Sequence, residues 1–194
     1  MKAALRARAL LELAGETPVV METNGGEGVM FNRVYSAIAD GIVFEKDRRK
    51  VRVLAHQRPE WSVWCVDNVR AIRAGVGDHL TVNFLDVDPY GEPWTILDAF
   101  FESKRPRPRR LVVAVNDGLR QKLRTDAWEC RVVRPYLTRY GNSGIFRNYL
   151  AIARDMLAER AAKAAYEIRR WNGYYTGEKL SMTHYAAVLE RISA

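Results

Sequence analysis

Residues 18–28 read Pro18-Val19-Val20-Met21-Glu22-Thr23-Asn24-Gly25-Gly26-Glu27-Gly28, an apolar run that stops at an acid and passes into a glycine-rich loop. The short apolar run reads as a buried strand over 18–22. The glycines let the backbone turn sharply and approach a ligand closely. Over 29–39 the apolar spacing is that of an amphipathic helix, which would present unpaired N–H groups at its start. Strand, glycine loop and helix together open a βαβ unit, and the chain repeats that alternation.

Further strands are expected at 41–44, 61–66, 80–85 and 111–115, with helices near 46–55, 69–74, 94–103 and 148–165. The last two strands, 166–175 and 182–192, are joined only by Thr176-Gly177-Glu178-Lys179. So short a turn forces antiparallel pairing, because a parallel pair needs a crossover connection. The expected fold is α/β: a Rossmann-like, doubly wound, mostly parallel seven-stranded sheet ending in an antiparallel hairpin. A dehydrogenase sheet would end on parallel strands. At 194 residues one domain spans 1–194, with a leading helix over 1–16, a cofactor-binding half over 17–115 and a substrate-side half over 116–194. Leu5, Leu10, Leu11 and Leu13 give the leading segment one apolar face, so it reads as a packed helix rather than a transit peptide.

Composition narrows the classes. No apolar run reaches membrane-spanning length. Cys65 and Cys130 lack a CxxC partner, which points to a reducing cytoplasm, and Cys65 in its apolar run reads as core. His56, His79 and His184 are isolated, so no metal site is expected. A net charge of +8 and a pI near 9.7 point to a polyanionic partner.

Open α/β sheets bind ligands at the carboxyl ends of their strands, and acids stand at those ends here. In the first loop, Glu22 and Glu27 would repel a phosphate, no Gly-Lys-Ser/Thr follows, and the third glycine of a dinucleotide fingerprint would be Phe31. A cationic ligand suits it better, such as the sulfonium and amino groups of S-adenosylmethionine. Glu22, Asn24, Gly25, Gly26 and Gly28 are its candidate residues. Glu45, after the second strand, is placed to accept both hydroxyls of a ribose. Asp67 and Asn68, after the third, could read an adenine amino group, although either could equally cap a helix. Asp86-Val87-Asp88-Pro89-Tyr90-Gly91 follows the fourth strand. Methylating an amine requires its lone pair to be aimed at the methyl. Asp88 and the carbonyl of Pro89 could accept the two amine protons while Tyr90 stacks on an aromatic base. Asp86 joins the cofactor-side candidates.

The runs LDVDPYGEPW, VVMETNGGEG and FEKD together resemble class I S-adenosylmethionine-dependent methyltransferases across roughly 18–192. Over 85–93 the chain is similar to the tRNA guanine N2-dimethyltransferase family, which carries Asp-Pro-Phe-Gly-Ser-Pro there. The resemblance implies cofactor-loop roles for Glu22, Gly26 and Gly28, the ribose acid at Glu45, and a target-amine site at Asp88, Pro89 and Tyr90. Asn24 stands where that class often has Gly or Phe, and Glu92 replaces the family's Ser. The tRNA family also carries an additional carboxy-terminal domain, which this chain is expected to lack.

The densest basic run, Lys104-Arg105-Pro106-Arg107-Pro108-Arg109-Arg110, leads into the amino end of the fifth strand, so it reads as a solvated loop away from the site. Arg120, Lys122, Arg124, Arg131, Arg134 and Arg139, interleaved with Trp128, Tyr136 and Tyr140, follow that strand and make the better substrate surface. The expected activity is N-methylation of a nucleobase amine, in RNA such as tRNA more than in DNA. A small-molecule methyltransferase and a non-catalytic cofactor-binding subunit are the alternatives. A homo-oligomer or a partner subunit is open to it.

Overall fold

The computed structural model describes residues 1–126 and 131–192, without the side chains at 124–126 and 142. The side chain of Arg124, together with Trp128 and Cys130, therefore lies outside the described residues. Five parallel strands come first: β1 (Val19–Glu22), β2 (Asp40–Glu45), β3 (Ser62–Cys65), β4 (Phe84–Val87) and β5 (Arg110–Asp117). The sheet order is β3-β2-β1-β4-β5-β7-β6, so chain direction across the sheet reverses between β1 and β4. That reversal opens the crevice in which such sheets bind ligands. The closing hairpin is β6 (Tyr166–Thr176) and β7 (Met182–Arg191), with β7 inserted antiparallel between β5 and β6.

The inner strands alternate between two apolar layers because both faces of the sheet are covered. Leu111, Val113 and Val115 of β5 and Tyr185, Ala187 and Leu189 of β7 face a layer that includes α3 (Asn68–Arg73), α4 (Trp94–Glu102) and α7 (Tyr149–Lys163). Val112, Ala114, Ala186 and Val188 face the other layer, with Ala9 of α1 (Lys2–Leu10) and Leu54 of α2 (Arg48–Gln57). Asp47 caps α2, its Oδ1 accepting from Arg49 N at 2.8 Å. Two further helices, α5 (Leu119–Asp126) and α6 (Leu137–Arg147), follow β5.

Several expectations shift. The 29–39 helix reduces to a π-helical turn at Phe31–Tyr35, with both named residues buried and Phe31 edge-on to Trp61. The fourth strand begins at Phe84, not at 80, and the Asn83 side chain just before it binds the backbone at the entry to β1. Its Oδ1 accepts from Val19 N at 2.7 Å and its Nδ2 donates to Thr17 O at 2.9 Å. The strand runs on to Val87 and takes Asp86 inside the sheet. Leu11 is exposed, whereas Leu13 is buried. Cys65 is exposed rather than core, because β3 is an edge strand. The basic run at 104–110 is not simply solvated. Arg105 is buried, donating to Asp78 Oδ1 at 3.0 Å and Ser103 Oγ at 2.7 Å, and burial brings its pKa down to about 10. Arg107 donates to the carbonyls of Phe100, Phe101 and Ser103 at the end of α4.

The leading helix is pinned by a charge. Arg6 is fully buried and donates through Nε to both Asp86 oxygens, at 2.9 and 2.8 Å, and through Nη2 to Oδ1 at 2.6 Å. Tyr35 adds a hydroxyl donor to Asp86 Oδ2 at 2.7 Å. At the end of β5, Asp117 accepts from Tyr149 at 2.7 Å and from Leu119 N at 2.8 Å, and burial pushes its pKa up to about 7.

Two stability predictions follow from these buried acids. Removing one member of a buried pair leaves an uncompensated charge, so Arg6→Ala should cost about 3–5 kcal/mol in urea unfolding. A loss under about 1 kcal/mol would mean that Asp86 finds another partner. Because Asp117 holds its proton more tightly when folded, its stabilising contribution is full below its ordinary carboxylate pKa of about 4. That contribution is lost as pH rises towards about 7. Asp117→Asn should flatten the fall in stability over that window in a pH series of unfolding curves, and an unchanged slope would count against the shift.

Candidate functional site

A cleft of about 950 Å³ opens at the carboxyl ends of β1 to β4, within the volume range of small-molecule sites. Its walls bring together Glu22, Asn24, Gly25, Gly26, Glu45, Asp67, Asn68, Asp88, Pro89 and Tyr90. Gly28 and Asp86 are not among its lining residues.

The loop after β1 is held tightly from below. Gly25 N donates to Phe44 O at 2.9 Å, and a Cβ on Gly25 would stand 2.6 Å from side-chain atoms of Leu54 and Val43. Only glycine lets the loop sit so low on the sheet. Gly26 and Gly28 have positive φ, 55° and 76°. Gly28 serves packing rather than the cleft, since a Cβ there would lie 2.1 Å from Gln57 Oε1.

Glu45 is fixed by three backbone donors. Its Oε2 accepts from Gly26 N at 2.8 Å, and its Oε1 accepts from Lys46 N at 2.7 Å and Asp47 N at 3.0 Å. A carboxylate offers about four lone-pair sites, so roughly one stays open, on Oε2. The carboxylate can then take one hydroxyl without rearrangement, not two. Asn68 donates to Thr23 O at 2.8 Å and bridges β1 to β3, while Asp67 caps α3 through Arg70 N at 2.9 Å and pairs with Lys46. These contacts hold the Asp67 carboxyl below the usual range, chiefly through Lys46.

Glu22 is buried and paired with Arg58 Nη1. Burial, partly offset by that guanidinium, pushes its pKa up to about 7. Arg58 lies over the rings of Phe31 and Trp61, 4.3 and 5.2 Å from their centroids. The pair fixes the start of the loop and spends part of the Glu22 charge that the sequence offered to a ligand.

The end of β4 is the open part of the cleft. Asn116 on β5 donates its Nδ2 to Asp88 Oδ1 at 2.7 Å, and Lys2 of α1 pairs with Asp88 Oδ2. Tyr90 is wholly exposed. Glu92 caps α4, accepting from Trp94 N at 2.6 Å and Thr95 Oγ1 at 2.7 Å.

The basic residues separate. Arg120 is buried, contrary to the expected surface role. It donates to Phe146 O at 3.0 Å and lies 3.8 Å from the centroids of both Phe146 and Tyr175. Held between a ring of α6 and a ring of β6, its guanidinium joins those two elements. Arg131, Arg134 and Arg139 are exposed, outside the cleft. Sequence reasoning missed Arg6, Arg58, Asn116 and Lys2. Arg6 did carry a signal, since with Ala9 and Leu13 it lies on the apolar stripe of its helix. Among the described residues no group of His, Cys, Asp or Glu could hold a metal ion, and no helix is long and apolar enough to cross a membrane.

By sequence the chain matches no family model and no curated protein. Among solved structures it is similar to Trm1 from Pyrococcus horikoshii, in complex with S-adenosyl-L-methionine, at 16% identity and a TM-score of 0.69 over 99% of this chain. It spans 55% of that protein's length. TYW2 from M. jannaschii, in complex with AdoMet, gives 15% identity and a TM-score of 0.60 over 98% of this chain and 76% of its own. The plantazolicin methyltransferase BpumL, in complex with SAH, gives 8% and 0.60 over 98% and 82%. At these identities the likeness lies in the architecture: the chain has the class I methyltransferase fold and resembles Trm1 in it.

Proposed function

We propose that the chain transfers a methyl group from S-adenosylmethionine to a nucleobase amine, in RNA such as tRNA, in the cytoplasm. The observation that carries the reading is the gathering of Glu45, Asp67, Asn68 and Asp88 from the ends of β2, β3 and β4 into one cleft with the glycine loop that follows β1. Trm1, TYW2 and BpumL, with this architecture, were solved with that cofactor or SAH.

The cleft fits the group on its own chemistry. Glu45 keeps about one acceptor site open for a ribose hydroxyl. The low glycine loop leaves room for the methionine end, and Val66 and Val69 flank the place for an adenine ring. When bound, S-adenosylmethionine supplies a methyl group on a positively charged sulfur. Asp88 and the Pro89 carbonyl accept the amine hydrogens and aim the nitrogen lone pair, and Tyr90 offers an exposed ring for the base to stack on. Asn116 holds Asp88 by Oδ1, and the acceptor amine takes Oδ2 in place of Lys2, which pairs with that oxygen. Asp88, or water beside it, takes the proton released as the new bond forms. Catalysis is positioning and exclusion of water, with no covalent enzyme intermediate.

RNA rather than a small molecule is supported by the net charge of +8 and by the exposed Arg131, Arg134 and Arg139, which remain the candidate polynucleotide contacts. A small-molecule acceptor and a non-catalytic partner role would be separated from it by offering labelled cofactor with tRNA, rRNA, DNA and metabolite pools.

Asp88→Ala should abolish methyl transfer while leaving cofactor affinity within about threefold by calorimetry, whereas Glu45→Ala should weaken that affinity by about tenfold or more. Normal turnover in the first, or unchanged affinity in the second, would remove that residue from its role. Arg131→Glu with Arg134→Glu should weaken RNA binding more at low salt than at high salt. A loss independent of salt would argue against phosphate contact.

A further inference from the structure

Lys2 occupies a position that the acceptor needs. Its Nζ pairs with Asp88 Oδ2, the oxygen left open by Asn116, which donates to Oδ1 at 2.7 Å. Lys2 and Ala3 line the same cleft as the glycine loop and the segment from Asp88 to Tyr90. The placement is maintained by the fold, because Arg6, one helical turn further on, locks α1 to Asp86 two residues before Asp88. A primary amine is thus seated on the carboxylate assigned to an acceptor amine, at the end of a helix anchored by a buried ion pair.

We propose that Lys2 is a methyl acceptor of its own cleft, methylated in cis when no nucleic acid fills the site. The inference rests on the proposed methyl transfer and adds a second acceptor to it. The Lys2 ammonium first loses a proton, to Asp88 and on to solvent, which frees the lone pair. A nitrogen–carbon bond then forms as the carbon–sulfur bond breaks, and both electrons of that bond stay on sulfur. S-adenosylhomocysteine leaves neutral at sulfur, and the positive charge passes with the methyl to nitrogen, so Lys2 emerges directly as a methylammonium. Because donor and acceptor share one cleft, the reaction is first order in enzyme, and an RNA amine competes with it for Asp88.

The test is peptide mass spectrometry of the full chain after incubation with S-adenosylmethionine alone, in mildly alkaline buffer to favour the neutral amine. Methylation should map to Lys2, vanish in Lys2→Met, and slow by about tenfold or more in Asp88→Asn. The fraction modified per unit time should not change when the protein is diluted about tenfold, and an RNA that the protein methylates should slow it. Calorimetry with the same cofactor separates the two readings. Cofactor binding and RNA methylation with an unmodified Lys2 would overturn this proposal and leave the proposed function standing. A methyl on another amine, or a rate that falls on dilution, would also overturn it. No cofactor affinity at all would remove both.

Discussion

The contact on which the rest depends is the one between Arg6 and Asp86. An aspartate fully buried in the middle of a parallel sheet is costly unless it is paired and hydrogen-bonded. Here the guanidinium and the Tyr35 hydroxyl supply donors to both carboxylate oxygens. The same contact carries three consequences. It fixes α1 across β4, it orients the turn at Phe31–Tyr35 that follows the glycine loop, and it places Lys2 over Asp88. A hydrophobic pair could hold the helix as firmly, but it would not fix the helix rotation that points Lys2 into the cleft. Direction, rather than net stability, is what this pair contributes.

A second buried pair does similar work one strand over. Glu22 with Arg58 sits at the end of β1, as Asp86 sits in β4 beside it in register. Two adjacent strands thus carry buried carboxylates that would repel each other if left alone. Each is matched by its own arginine, Arg6 from α1 and Arg58 from the residue that ends α2. The acids left facing the cleft, Glu45, Asp67 and Asp88, are held by backbone N–H groups, by Asn116 and by lysines. The division is physical: arginine forks go where water is excluded, and flexible lysines stay at the rim, where they can yield to a ligand.

Much of the fold could be read from the sequence because the information was local. The apolar strands, the glycine loop after Glu22 and the short link before Met182 each fix a piece of topology from neighbouring residues. The acids at the strand ends were legible for the same reason, since the sheet carries each to one rim. What could not be read was set by distant contacts. Asp86 and Asp88 look alike in sequence, and only where β4 ends decides that the first is buried and the second lines the cleft. Arg58 and Glu22 are 36 residues apart, and Lys2 and Asp88 meet only because α1 crosses the sheet. No spacing rule reports such pairs.

The same reasoning changes what the basic composition means. Arg6, Arg58, Arg105 and Arg120 are all buried, and their partners are carboxylates, a serine hydroxyl, a carbonyl and aromatic rings. Arg107 spends its donors on the end of α4. A formal charge of +8 therefore overstates the cationic groups free to meet phosphate, and the run at 104–110 that looks most like a nucleic-acid patch buries Arg105 and ties the half-buried Arg107 to the end of α4. Charge that can act on a polyanion must be exposed and still hydrated, because its advantage comes from counterions released on contact. By that criterion the exposed Arg33, which lines the cleft, and the exposed arginines after β5 matter more than the densest basic run. The cleft then mixes carboxylates with cations along one lining, Glu45, Asp67 and Asp88 beside Arg33, Lys46 and Lys50, so its field toward a ligand is set by which of these pairs are already closed.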